Sequence, residues 1–220
     1  MIHVHRFLKR NENCPESAFD SRWQAAAKRL QASAQLQRFA LNSRIAFEGA
    51  ESPYDGSEDY YVDDLDALAA LRASSAFLQY EEELAQVTSL AEREWMITFD
   101  RVMREGAVGP GHVRAIFQLK RRRGTTPAQL RDYWGGTHGD LGLKIPGMRR
   151  YIQSYVVDEV YQWCEPGYDG IAQEWFDDLD ALRAAFQSPE GRTSNADGKN
   201  FLDMSVRRIF VAKEYLVGRD

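Results

Sequence analysis

The chain contains one pattern twice, and a duplication narrows the possible folds more than any other property of a sequence. Tyr54-Asp55-Gly56 followed by Asp63-Asp64-Leu65-Asp66-Ala67-Leu68 returns as Tyr168-Asp169-Gly170 followed by Asp177-Asp178-Leu179-Asp180-Ala181-Leu182, with equal spacing in both copies. Upstream, His5-Arg6-Phe7-Leu8-Lys9-Arg10 matches Phe117-Gln118-Leu119-Lys120-Arg121-Arg122, and Gln37-Arg38-Phe39 matches Arg149-Arg150-Tyr151. Between the copies, Gly106-Ala107-Val108-Gly109-Pro110-Gly111 reads as a linker. The expected domains are residues 1–106 and 112–220.

The second copy has the clearer periodicity. Residues 113–120 alternate as a half-buried strand, and 127–143 read as a helix opened by Thr126 and Pro127 and stopped by Pro146-Gly147. Residues 150–157 and 171–176 read as strands, 178–186 as a helix capped by Asp177 or Asp178, and 205–211 as a fourth strand. In the first copy the corresponding helix is 17–30 and the last strand 95–102. This βαββαβ order is ferredoxin-like, with two helices on one face of a four-stranded antiparallel sheet and the other face in need of cover. A second copy supplies the cover. The expected fold class is therefore α+β, two ferredoxin-like βαββαβ repeats packed as an intramolecular barrel.

Charge excludes several roles. A formal net charge of −5 argues against nucleic-acid binding, and the one dense basic run, Lys120-Arg121-Arg122-Arg123, reads as the solvated end of a strand. No stretch approaches the apolar length of a membrane span, and Met1-Ile2-His3-Val4-His5-Arg6 lacks the apolar core of a signal peptide. Cys14 and Cys164 are far apart and part of no paired motif, which fits a reducing compartment. The expected setting is the cytoplasm, with a small-molecule substrate, no nucleic acid, no membrane, and a monomer or homodimer.

The helix at 127–143 holds the chemistry. Leu130, Trp134, His138 and Leu141 recur at steps of four, four and three, so one face is expected to carry an imidazole beneath an indole. Gly135 and Gly136 give up roughly 1 kcal/mol each relative to Ala and let another group approach closely. Setting Pro127 opposite Pro15 places Ala26 opposite His138 and Arg22 opposite Trp134. One active cleft is expected, in the second repeat.

These features resemble the EthD family of dimeric α+β barrel proteins. The resemblance rests on Tyr133-Trp134 with His138, on Pro146-Gly147-Met148-Arg149-Arg150-Tyr151, and on Tyr168-Asp169-Gly170 followed by Trp175-Phe176-Asp177. It covers roughly residues 112–217, with the first repeat a degraded copy. It implies cofactor-free chemistry on small cyclic intermediates, such as lactone isomerisation, dehydration or decarboxylation, and it points to His138. At the place of Glu174, the lactone-isomerising members carry a reactive cysteine, so thiol chemistry does not carry over.

The expected catalytic set is His138 as proton shuttle, Glu174 or Asp140 to orient or partner it, and Tyr151 or Tyr155 to stabilise developing negative charge. Tyr133, Trp134, Tyr155, Trp175 and Asp169 are expected substrate contacts, although Tyr-Asp-Gly recurs in the half without the histidine and also reads as a structural turn. Trp134, Trp163 and Trp175 suggest an aromatic pocket, and Cys164, in the aromatic loop Tyr161-Gln162-Trp163-Cys164, reads as an inert thiol or a lid residue. The expected reaction is a cofactor-independent lyase or isomerase step. Alternatives are a cofactor-free oxygenase and a non-catalytic binding protein. No cofactor is expected: a metal on His3, His5 and Glu58, or a haem on His138 in a large apolar cavity, are the weaker readings.

Overall fold

The computed structural model describes residues 1–50, 52–91 and 93–218. The chain divides into two compact units, one of Met1–Arg44, Pro53–Thr98 and Glu214–Asp220, the other of Ile45–Ser52 and Phe99–Lys213. In the first repeat the order is β1 (Ile2–Leu8), α1 (Glu16–Ala27), β2 (Arg38–Arg44), β3 (Gly56–Val62), α2 (Leu65–Ala73), α3 (Ser75–Leu84) and β4 (Glu94–Arg104). The second follows with β5 (Val113–Leu119), α4 (Pro127–Tyr133), a π turn (Trp134–His138), α5 (Gly139–Gly142), β6 (Arg150–Val156), α6 (Asp158–Trp163), β7 (Gly170–Phe176), α7 (Leu179–Gln187), α8 (Pro189–Asp197) and β8 (Arg208–Gly218). Strands lie in the order β4-β1-β3-β2 in the first repeat and β8-β5-β7-β6 in the second. Each is the split βαβ arrangement expected from the sequence.

Local chemistry accounts for the element ends. The Thr126 hydroxyl accepts the Gln129 amide at 3.2 Å while Gln129 Oε1 accepts the Thr126 amide at 2.9 Å, a reciprocal cap with Pro127 in the first turn. Asp178, rather than Asp177, caps α7 through the Ala181 amide, 2.8 Å away, and Asp64 does the same for α2. Asp177 pairs with Arg149 instead. The helices α3 and α8 were not expected. Each begins at a serine, Ser74 or Ser188, whose hydroxyl accepts an amide three residues on.

The Tyr-Asp-Gly turn is the same device in both copies. Asp55 Oδ2 accepts the Arg10 amide at 2.9 Å, and Asp169 Oδ2 accepts the Arg121 amide at 2.8 Å. The glycine after each aspartate lies against an indole: a Cβ on Gly56 would stand 2.5 Å from Trp23, and one on Gly170 2.5 Å from Trp134. Trp134 is thus opposite Trp23, one step from the proline-based alignment, and the expectation that Arg22 stands in its place is corrected. The first repeat kept its tryptophan. Each repeat has its own apolar core, with Trp23, Phe39 and Tyr60 in one and Trp134, Tyr151 and Phe176 in the other.

Candidate active site

The π turn sets the histidine. Its wider i→i+5 winding at Gly135 and Gly136 breaks the four-residue step that would have stacked the two rings. Trp134 turns wholly into the core, where its N–H donates to the Tyr151 hydroxyl at 3.2 Å and its ring meets Tyr155 edge-on. His138 instead rests against Phe201 and brings Nδ1 to 2.8 Å from Asp197 Oδ2. The expectation of imidazole beneath indole is corrected accordingly. Gly135 is where another group comes close: a Cβ there would collide with the Arg101 guanidinium and stand 3.0 Å from the Tyr155 hydroxyl.

Asp197 is a well-held anion. Its other oxygen accepts the Tyr133 hydroxyl at 2.8 Å and the Asn200 amide at 2.7 Å, and together with His138 these donors keep its carboxyl below the usual range although burial opposes them. A carboxylate only accepts, so the Nδ1 proton belongs to this bond and Nε2 of the neutral ring is left with its lone pair. Burial holds the His138 pKa below that of a free imidazole, against the pull of Asp197 and with the help of the Arg207 charge. The ring is therefore neutral near pH 7 and suited to act as a base.

His138 lines a cavity of about 250 Å³ within the second unit. Phe117, Ala172, Phe186 and Ile209 form apolar walls, and Tyr151, Glu174, Asn195 and Arg207 supply polar groups. Tyr151 and Glu174 are direct partners across the β6–β7 ladder, so they share one face of the sheet. Glu174 is 8% exposed, and its Oε2 has no hydrogen-bond partner. Burial pushes its carboxyl up to about 8, with the Arg207 charge opposing. The Tyr151 oxygen accepts from Trp134 and, at 2.8 Å, from Gln153 Nε2, which leaves its own O–H free to donate. Burial and the neighbouring Glu174 hold that phenol well above the usual range.

Of the residues expected from sequence, the structure brings His138, Glu174 and Tyr151 together on the cavity. The others stand elsewhere. Asp140 is exposed, and the carboxylate on His138 is Asp197. Trp175 follows Glu174 in a strand and so faces the opposite side, under the guanidiniums of Arg114 and Arg150. Tyr155 lies four residues further along β6, with Trp134 and Phe99. Tyr133 holds Asp197 rather than lining the cavity. Asp169 is buried in its turn, taking bonds from Arg121 and from the Tyr161 hydroxyl at 2.8 Å. Trp163 and Cys164 are exposed and apart from the cavity, which no tryptophan lines. His3 Nε2 and His5 Nδ1 each lie 3.1 Å from Asp59 Oδ1, while Glu58, one residue away on the strand, faces elsewhere toward Arg6. The proposed metal triad with Glu58 is therefore corrected.

The first repeat shows how the cavity arises. Ladder partners place Arg6 and Glu58 where the second repeat has Phe117 and Ala172, and Phe39 and Tyr60 where it has Tyr151 and Glu174. Counting from the serine caps places Phe77 and Tyr80 opposite Gly191 and Ser194. These larger side chains stand where the second repeat has cavity-lining residues. Glu58 accepts from Arg6 Nε at 2.5 Å, from Trp23 Nε1 at 2.6 Å, and from the hydroxyls of Tyr60 and Tyr80.

Residues 122–205 match the EthD domain family. No curated protein matches the chain in sequence. Solved structures similar over nearly the whole chain include a putative monooxygenase from Lactobacillus acidophilus, at TM-score 0.61 and 11% identity, covering 99% of this chain and 96% of that one. A second putative monooxygenase, from Fusobacterium nucleatum, has TM-score 0.64 and 8% identity, with 98% and 92% covered. An anthrone oxidase-like protein has TM-score 0.65 and 11% identity, again with 98% and 92% covered. At these identities the likeness establishes fold alone. The second repeat thus matches the EthD domain family over 122–205, and the chain as a whole has the α+β barrel fold of these solved structures, with both ferredoxin-like halves on one polypeptide.

Proposed function

We propose that the second repeat is an enzyme moving a proton on a small cyclic or aromatic compound, as a lyase or isomerase that works through its own side chains. The carrying observation is that His138, held by Asp197 at 2.8 Å, and the buried, unpartnered carboxyl of Glu174 face one cavity with apolar walls. His138 Nε2 would take a proton from a carbon next to a carbonyl or ring oxygen, with Asp197 stabilising the imidazolium that forms. The Tyr151 O–H would donate to the oxygen on which negative charge develops. Glu174 would return a proton to carbon, or to a departing hydroxyl, and be reprotonated by way of His138. Phe117, Phe186 and Ile209 would hold the ring and exclude water.

A screen of cyclic ketones, lactones and hydroxyaromatics for solvent deuterium exchange, read by mass spectrometry, tests this directly. His138→Ala should slow exchange at least ~100-fold in a folded protein; undiminished exchange would remove the proposal. The rate should be bell-shaped in pH, its acid limb set by His138 below the ordinary imidazole range and its basic limb near 8 set by Glu174. Glu174→Gln should erase the basic limb.

A second reading, a cofactor-free oxygenase, draws on the structural neighbours named as monooxygenases and as anthrone oxidase-like. The same carbanion would then meet dioxygen. Oxygen consumption matched to turnover would select it.

A further inference from the structure

The two repeats share an arginine in one position with different partners. In the first repeat Arg93 forms an ion pair with Glu81 at 2.6 Å and donates to Thr88 Oγ1 at 2.7 Å. In the second, Arg207 stands in the same place before the last strand, and its Nη1 donates to Asn195 Oδ1 at 2.7 Å. Asn195 occupies on α8 the position that Glu81 holds on α3, counted from the serine caps. A carboxylate has thus become a neutral amide. Among the described residues Arg207 has no ion-pair partner, and it is half-buried on the cavity wall. Its guanidinium offers five donors, of which Asn195 occupies one.

The charged groups nearby do not supply the missing anion. Asp197 is committed to His138, Tyr133 and Asn200. Arg192, also on the cavity, is exposed, and its Nη1 is bound to the Gln187 carbonyl. Glu174 faces the cavity but makes no ion pair among the described residues, and its Oε2 is unpartnered. A half-buried guanidinium without a counter-ion is costly unless something completes it.

We infer that the ligand of this cavity is a carboxylic acid with an apolar ring, and that Arg207 binds its carboxylate where the first repeat uses Glu81. The inference rests on the cavity being the substrate site proposed above. A planar carboxylate matches the guanidinium fork, and Phe117, Phe186 and Ile209 receive the ring. Arg207 then acts as a binding and specificity residue, with the proton chemistry left to His138 and Glu174.

The test is calorimetric titration of the full chain with benzoate, 2-hydroxybenzoate and 1-naphthoate, and with benzamide and benzyl alcohol as uncharged counterparts. Wild type should bind the carboxylates and discriminate against the uncharged compounds. Arg207→Gln should weaken carboxylate binding by ~10-fold or more and leave the uncharged compounds unaffected. Asn195→Glu rebuilds the first repeat's ion pair, so it should fold, occupy the guanidinium and suppress carboxylate binding by a similar factor. Equal binding of acid and amide, no binding of any carboxylate at millimolar concentration, or full carboxylate affinity in Asn195→Glu would overturn the inference. His138→Ala keeps Arg207, so it should still bind the carboxylates. Binding that depends on Arg207 without proton exchange on any compound would leave the carboxylate site standing and remove the catalytic proposal, so the two failures are distinguishable.

Discussion

Glu174 and Tyr60 occupy the same place in the two repeats, each opposite an aromatic residue in the neighbouring strand. Tyrosine suits that buried face; a carboxyl there must keep its proton. Titrating near 8 in the fold against an ordinary 4.5 in the unfolded chain, Glu174 contributes fully to stability below about pH 4.5, and that contribution is lost as pH rises toward 8. Glu174→Gln should therefore gain on wild type as pH rises, by on the order of a few kcal/mol at pH 8 and little at pH 5, as read from urea midpoints. Sequence alone could show that an acid mid-strand is out of place. It could not show which carboxylate holds His138. Asp140 lies two residues from His138 and was the natural choice, whereas Asp197 reaches the ring from a different helix and only folding brings them together.

At the level of elements, the strands, the first helix of each repeat and the capped second helix were legible because their periodicity is local. The helix α8 was not, since it has only small and polar residues where an apolar stripe would mark it, whereas α3 carries such a stripe in Phe77, Tyr80 and Leu84. Ser188 ahead of Pro189 was the available signal. The π turn was also hidden, because a glycine pair marks weakness in a helix without saying how the helix resolves it. Close packing gives a sharper test. Gly170→Ala would drive a Cβ to within 2.5 Å of the Trp134 ring and 2.7 Å of the Ser154 carbonyl, and should cost about 1–3 kcal/mol or more in thermal or urea unfolding. Thr126→Ala, which removes one half of the reciprocal cap, should cost about 1 kcal/mol.

For the molecule as a whole, the duplication predicted two similar halves but not that the positions lining a cavity in the second would carry larger, mutually bonded side chains in the first. That difference lies in a few exchanges, chief among them Arg6 with Glu58 against Phe117 with Ala172. The first repeat contains a buried charge pair, Arg6 with Glu58. Arg6→Ala should destabilise by about 3–5 kcal/mol because Glu58 loses its counter-ion, whereas Arg6→Phe with Glu58→Ala, the pair the second repeat uses, should cost less than the sum of the two single changes. Joining the copies in one polypeptide is what makes such divergence possible. When two identical chains associate, every substitution appears twice, so neither half can change a site without the other changing with it. Here they can, and the stoichiometry should show it: one molecule of ligand per polypeptide, along a simple hyperbola without cooperativity.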